Sequence, residues 1–192
     1  MKSLFLLAVA LVFAAPRADA APKKKKYHFE LTDVLTKPEV ADDVGNEAKP
    51  RVKAVFQKAL ESNPQLVMNL EGAPDPEKNA TAYRKFLAKK GISAAYLVTV
   101  EVTEASIEIV PMEDKPKTQR LSVTVAVHVL GETIPGRTMG FTGDGRATVK
   151  QEVGMKIRAK DRELTWDDAA QTAVDNALAE CFAKLAKPPK KQ

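Results

Sequence analysis

Five aliphatic residues at every second position, Leu121, Val123, Val125, Val127 and Val129, alternate with Ser122, Thr124 and His128. Side chains on a strand point to opposite faces in turn, so this run is a long strand with one buried and one polar face. A strand that long needs partners in a sheet, and the flanking sequence supplies them. Upstream, Val98, Val100 and Val102 follow Tyr96 at even positions, yet by Ile107 and Ile109 the apolar positions are odd. A regular strand cannot change parity, so a bulge is predicted between Thr103 and Ser106. Downstream, Met139, Phe141, Ala147 and Val149 share parity with Gly143 and Gly145. Charged, proline-bearing Met112 to Thr118 and glycine-bearing Gly131 to Gly136 are the predicted turns of this meander.

The glycines admit two readings. Gly143-Asp144-Gly145 lacks the third glycine of a dinucleotide loop and the lysine and hydroxyl residue of a P-loop. As a packing device the pair fits better, because glycine inside a strand lets another backbone come close. The closing segment offers such a backbone. Ala170, Ala173, Val174, Ala177, Leu178, Cys181, Phe182 and Leu185 form a helical stripe rich in small residues. Thr165 is the predicted N-cap, with Asp168 in a capping-box relation and the helix running to about Ala186. Lys187 and Pro188-Pro189 stop it.

Ahead of the meander, Tyr27 to Leu35 reads as a first strand and Lys37-Pro38 to Asn46 as a loop. Val52, Val55, Phe56, Ala59 and Leu60 place a helix over Ala48 to Ser62, ended by Asn63-Pro64. Leu66, Met68 and Leu70 alternate as a short strand. A second helix over Asn79 to Lys90 buries Tyr83, Phe86 and Leu87, with Gly91 as its stop. The pattern predicts one α+β domain over residues 27–186: an antiparallel sheet of three to five strands with two or three helices packed on one face.

The N-terminus carries a predicted secretory signal: Lys2, an apolar run from Leu4 to Ala15, and the small-residue site Ala18-Asp19-Ala20. The run is too short to span a bilayer, which takes about 20 residues. Ala21 follows the site, where a lipid-anchored chain would carry cysteine. A periplasmic or secreted location is therefore expected. Cys181 is the sole cysteine, so no intramolecular disulfide can form.

The net charge of +5 is uneven. Lys23, Lys24, Lys25 and Lys26 precede the domain and Lys187, Lys190 and Lys191 follow it, while the segment between them is net acidic. These basic tails, 21–26 and 187–192, are candidate contacts for a polyanion such as anionic lipid or envelope glycan. Nucleic acid is not expected, because no basic and aromatic residues interleave to stack bases.

Chemistry is sparse. His28 and His128 lie in strands, read as exposed, and neither has a second histidine or cysteine at metal-ligand spacing. Asp42-Asp43, Glu113-Asp114 and Asp167-Asp168 fall in loops or at a helix start. No Gly-x-Ser-x-Gly elbow is present, although a triad assembled in space stays open at this level. Asn79-Ala80-Thr81 matches the glycosylation pattern, a short motif best explained by chance. No catalytic, cofactor or metal residue is predicted.

The order of elements carries a resemblance. A helix through Phe86-Leu87 to Gly91, a strand from Ala95-Tyr96-Leu97-Val98, a long return strand, a glycine-bearing third strand and an alanine-striped closing helix are together similar to a small envelope domain. That domain is the one of curli-secretion lipoproteins and the TolB N-terminal domain, over roughly Val52 to Leu185. The resemblance implies a periplasmic, non-enzymatic accessory module of outer-membrane complexes. Ala21 departs from the lipidated cysteine of the curli-secretion group, and nothing reads as a pore hairpin. The leading expectation is a non-catalytic envelope adaptor that binds a protein partner, with a sheet edge as one means. The alternatives are polyanion binding by the lysine tails and an unrecognised hydrolase.

Overall fold

The structure is a computed structural model that describes residues 25–187. The predicted signal peptide and Lys23, Lys24, Lys190 and Lys191 lie outside the described residues. The elements follow the order β1 (Lys26–Thr36), α1 (Asp42–Ser62), α2 (Ala80–Lys89), β2 (Ile92–Pro111), β3 (Thr118–Ile134), β4 (Met139–Gly154) and α3 (Ala159–Ala186).

The four strands form one sheet in the order β1-β2-β3-β4. β2, β3 and β4 pair antiparallel, as the meander pattern requires. β1 departs from an all-antiparallel sheet by joining β2 in parallel. The physical reason is the connection: two helices lie between β1 and β2, enough chain to carry β2 back to the end where β1 began.

Parity decides which faces are buried. Val123, Val125 and Val129 point to the same face as Val98, Val100 and Val102, and all are fully buried under α1 and α3. The predicted bulge exists. Val102 pairs with Val127 but Glu104 pairs with Ala126, so Thr103 is the extra residue and Ala105 and Ile107 turn to the buried face. α2 lies on the other face. Its Tyr83 and Leu87 pack on Ile92 and Ala95, with Ile134 directly opposite Ala95 in β3, as a second small core. Two helices thus share one face and the third covers one end of the other.

The glycine seam is a packing device. A Cβ at Gly145 would stand 1.9 Å from the Ala173 carbonyl oxygen, and one at Gly143 would stand 2.4 Å from that of Ala177. No side chain fits there, so α3 lies on bare β4 backbone. Where α3 crosses the edge of β4, its side chains take up edge groups: Glu180 accepts from the Asp144 N–H at 2.8 Å, and Asn176 donates to the Arg146 carbonyl at 3.3 Å.

Several boundaries differ from the sequence reading. α1 begins at Asp42, so Pro50 lies inside it. Val44 and Ala48 continue the buried stripe of Val52, Phe56 and Leu60, and that burial outweighs the N–H that proline lacks. α3 starts at Ala159, and Thr165 is interior: its hydroxyl donates to the Asp161 carbonyl at 2.7 Å. Arg158 caps nothing with its side chain but grips Asp161 in a two-armed ion pair. Leu66 makes a single bridge to Tyr27, and Met68 is exposed. The β3–β4 turn falls after Ile134, because Gly131 is still paired, facing Phe141.

Candidate functional site

The first strand and the last helix meet. The Tyr27 hydroxyl donates to the Leu185 carbonyl at 3.2 Å, and Phe182 packs against both Tyr27 and Phe29. The start of β1 is thereby held against the last turn of α3. Lys25, Lys26 and Lys187, the tail lysines among the described residues, are all exposed around this contact. Lys26 pairs in register with Ile92, only two residues beyond Lys90. α2 therefore delivers its own bases to the same end.

A charge pattern that sequence reading missed now becomes visible. Residues 78–100 hold five bases and no acid; residues 101–114 hold five acids and no base. The boundary falls in the middle of β2, so the chain's own course separates the signs. Arg84, Lys85, Lys89 and Lys90 are exposed and form no ion pair with the described residues. Lys90 sits over the Phe86 ring, 5.6 Å from its centroid. Two exposed methionines belong to this end, Met68 at 42% and Met139 at 73% of full exposure. Met68 follows Val67, whose N–H donates to the Tyr27 carbonyl at 2.8 Å.

At the other end two acids, Glu104 and Glu152, hold cross-strand ion pairs. Arg146 reaches across the small Ala126 to grip Glu104 with two hydrogen bonds, 2.8 and 2.9 Å, and holds its carboxyl below the usual carboxylate range. Lys115 pairs with Glu152 at 2.6 Å. Here β1 has stopped. Lys37 N–H donates to the Val102 carbonyl, the last contact from that side, at 3.0 Å. From Glu104 to Pro111 the outer edge of β2 pairs with no strand among the described residues. Met112 N–H faces β3, bonding the Thr118 carbonyl. By alternation, the N–H and C=O groups of Ala105, Ile107 and Ile109 face outward. Pro111, without an N–H, ends this row where no ladder bond is lost.

The histidines separate. His28 is buried, 8% exposed, against the expectation of a surface position; its Nδ1 lies 2.6 Å from the Val67 carbonyl because the α2 side covers this face. His128 pairs through Nδ1 with Asp144 at 2.7 Å. Its register neighbours are Glu101 and Asp144, so the strands set no hydroxyl or thiol directly beside it. Cys181 is fully buried against Gly143, and burial pushes its thiol up to about 12. Among the described residues no three His, Cys, Asp or Glu side chains cluster as a metal would need. An open groove of about 750 Å³ between α1 and α3 is lined by Glu47, Arg51 and Asp167, among others. Two ion pairs border it, Arg51 with Asp167 and Glu47 with Arg162, while Lys58 and Asp168 in its lining hold none among the described residues.

The fold is that of a four-stranded mixed sheet with two helices on one face and a third on the other. By sequence, the chain matches no family model and no curated protein. Among solved structures it is similar to a hypothetical protein of Chlamydia trachomatis (13% identity, 84% of this chain, 95% of that one, TM-score 0.40). It is also similar to the rare lipoprotein B of Shewanella oneidensis (11%, 82% and 96%, TM-score 0.40). A minor lipoprotein of Acinetobacter baumannii is a third such structure (16%, 81% and 92%, TM-score 0.36). Likeness at this level concerns the arrangement of elements and says nothing of activity.

Proposed function

We propose that this chain is an exported, non-catalytic adaptor of the cell envelope that binds an extended segment of a protein partner along the outer edge of β2. The observation that carries the reading is the unpaired run Glu104–Val110. Its outward backbone groups can accept one more strand, with exposed Ile109 and Val110 beside them, 45% and 42% exposed. The other edges are partly occupied: Gln65 to Val67 lie on β1 at Tyr27, and α3 side chains lie on β4. The bulge at Thr103 and Pro111 bracket the free run and limit a partner to a short strand. Glu104 and Glu108 on one face and Ile107 and Ile109 on the other favour a partner strand alternating basic and apolar residues. The leader sequence supports the exported location, and the resemblance to curli-secretion and TolB-type domains accords with an accessory role.

A photo-crosslinking residue at Ile109, in intact cells, should capture a discrete partner that the same residue at Lys117 does not. Ile109→Pro removes an outward N–H that the β3 ladder does not use, so it should abolish capture by a reporter placed at Val110 while the fold persists. Capture that is identical at Ile109 and Lys117, or that survives Ile109→Pro, overturns the edge reading.

A further inference from the structure

We infer that the end of the molecule that gathers the start of β1, the last turn of α3 and the bases of α2 is a docking surface for an anionic phospholipid bilayer. Three independent observations converge there. The Tyr27–Leu185 contact brings the exposed Lys25, Lys26 and Lys187 to one place, so these three act as one charge cluster. α2 adds Arg84, Lys85, Lys89 and Lys90, exposed and without acidic partners among the described residues. Met68 and Met139 are exposed apolar groups at the same end.

The methionines decide between sources of negative charge. A glycan or other hydrated polyanion gains from lysines but nothing from an exposed thioether. A bilayer interface accepts both, the bases at the headgroups and short apolar side chains at the acyl boundary. The acids at this end do not cancel the charge. Asp75 pairs with Lys78, Glu132 with Arg137 and Glu180 with Lys184, each acid offset by a base of its own. Glu30, Glu61, Glu71 and Glu77 remain, against Lys25, Lys26, Lys187 and the four bases of α2. Basic residues near an anionic leaflet are each worth about 1 kcal/mol, fading within a Debye length of about 8 Å at physiological salt. Grouping them at one end therefore matters more than their total. Docking through this end leaves the β2 edge, at the opposite end of the strand, turned away from the bilayer.

The test is co-sedimentation of the full exported chain with phosphatidylglycerol–phosphatidylcholine vesicles, against phosphatidylcholine vesicles and a soluble sulfated glycan. The chain should bind the anionic vesicles, release in high salt, and leave neutral vesicles unbound. Lys85→Gln, Lys89→Gln and Lys90→Gln together should weaken binding by about 100-fold. All three positions are exposed on α2, so an unchanged melting curve separates lost charge from lost fold. Met139→Ser should weaken vesicle binding several-fold and leave glycan binding as it was. Lys117→Gln, on the distant hairpin, should change nothing. Equal binding to neutral vesicles, glycan binding without vesicle binding, or a Lys117→Gln loss as large as the α2 loss each overturns the assignment. The inference does not depend on the edge reading: the α2 variants leave crosslinking at Ile109 intact, and Ile109→Pro leaves vesicle binding intact.

Discussion

The two ends of β2 are built from different materials. Around its first half, five aromatic rings, Tyr27, Phe29, Tyr96, Phe141 and Phe182, pack tilted, edge to face and in stacks with centroids 5.0 to 6.5 Å apart. Around its second half the core is aliphatic, Leu121, Val123 and Ile107, and the opposite face is held by cross-strand ion pairs and hydroxyls such as Thr124 to Thr148 at 2.9 Å. The aromatic end carries unpaired bases on its surface; the aliphatic end ties Glu104 and Glu152 into ion pairs but leaves a strand edge unpaired. The lesson is that each end spends its structure on a different kind of contact: one fixes where chain termini and charge gather, the other keeps backbone available.

That contrast can be broken in order of expected effect. Phe29→Ala removes the ring that touches Tyr96, Phe141 and Phe182 and should cost about 3–5 kcal/mol, read by denaturant melting. It should also loosen the Tyr27–Leu185 contact, visible as faster amide exchange at the start of β1; unchanged exchange there would show that the termini are held some other way. Gly145→Ala comes next. Its Cβ meets helix backbone and not a yielding side chain, so α3 must shift, costing about 1–3 kcal/mol or more. A stability equal to the parent would mean the seam is loose.

The Cys181 thiol sharpens the same point chemically. Buried at that seam and raised to about 12, it should resist alkylation in the folded chain at neutral pH and react after unfolding. Ready modification of the native protein would show that α3 lifts from β4. The smallest effect belongs to the aliphatic end. Glu104 has its carboxyl lowered by the Arg146 hydrogen bonds, so the stability it adds is present above the ordinary carboxylate pKa and is lost as pH falls through the lowered value. Glu104→Gln should flatten that acid-side decline in melting temperature slightly; an identical pH profile removes the pair from the stability of the hairpin.

Parity made the sheet legible. The shift from even Val102 to odd Ile107 placed the bulge between Thr103 and Ser106, where the register puts it at Thr103, and the glycines at 143 and 145 announced the close approach of α3. Local signals also carried α2, where Asn79 Oδ1 accepts the Ala82 N–H at 2.9 Å and Gly91 ends the helix at φ 71°. Tertiary burial hid the rest. Ala48 and Thr165 look like helix starts, but Val44 at one end and Asp161 at the other extend the buried or bonded stripe past them. The side on which α2 packs depends on the irregularity at Ser93, which pairs with nothing while Ile92 and Ala94 pair with Lys26 and Tyr27, and no local pattern marks it. The candidate basic end was half visible. The terminal lysines stand out as runs, whereas the bases of α2 are two short pairs, Arg84-Lys85 and Lys89-Lys90, that no sequence pattern singles out. Their connection to the tails is a matter of register, Lys26 beside Ile92, which sequence does not contain.

The clasp between Tyr27 and Leu185 has a consequence for engineering. Because entrance and exit of the domain lie a side chain apart, the domain can be spliced into a surface loop of another protein without stretching its host. The same closeness allows a short linker to join the old ends while new ones open in the Glu113–Lys117 hairpin tip, beyond the last paired residues of β2 and β3.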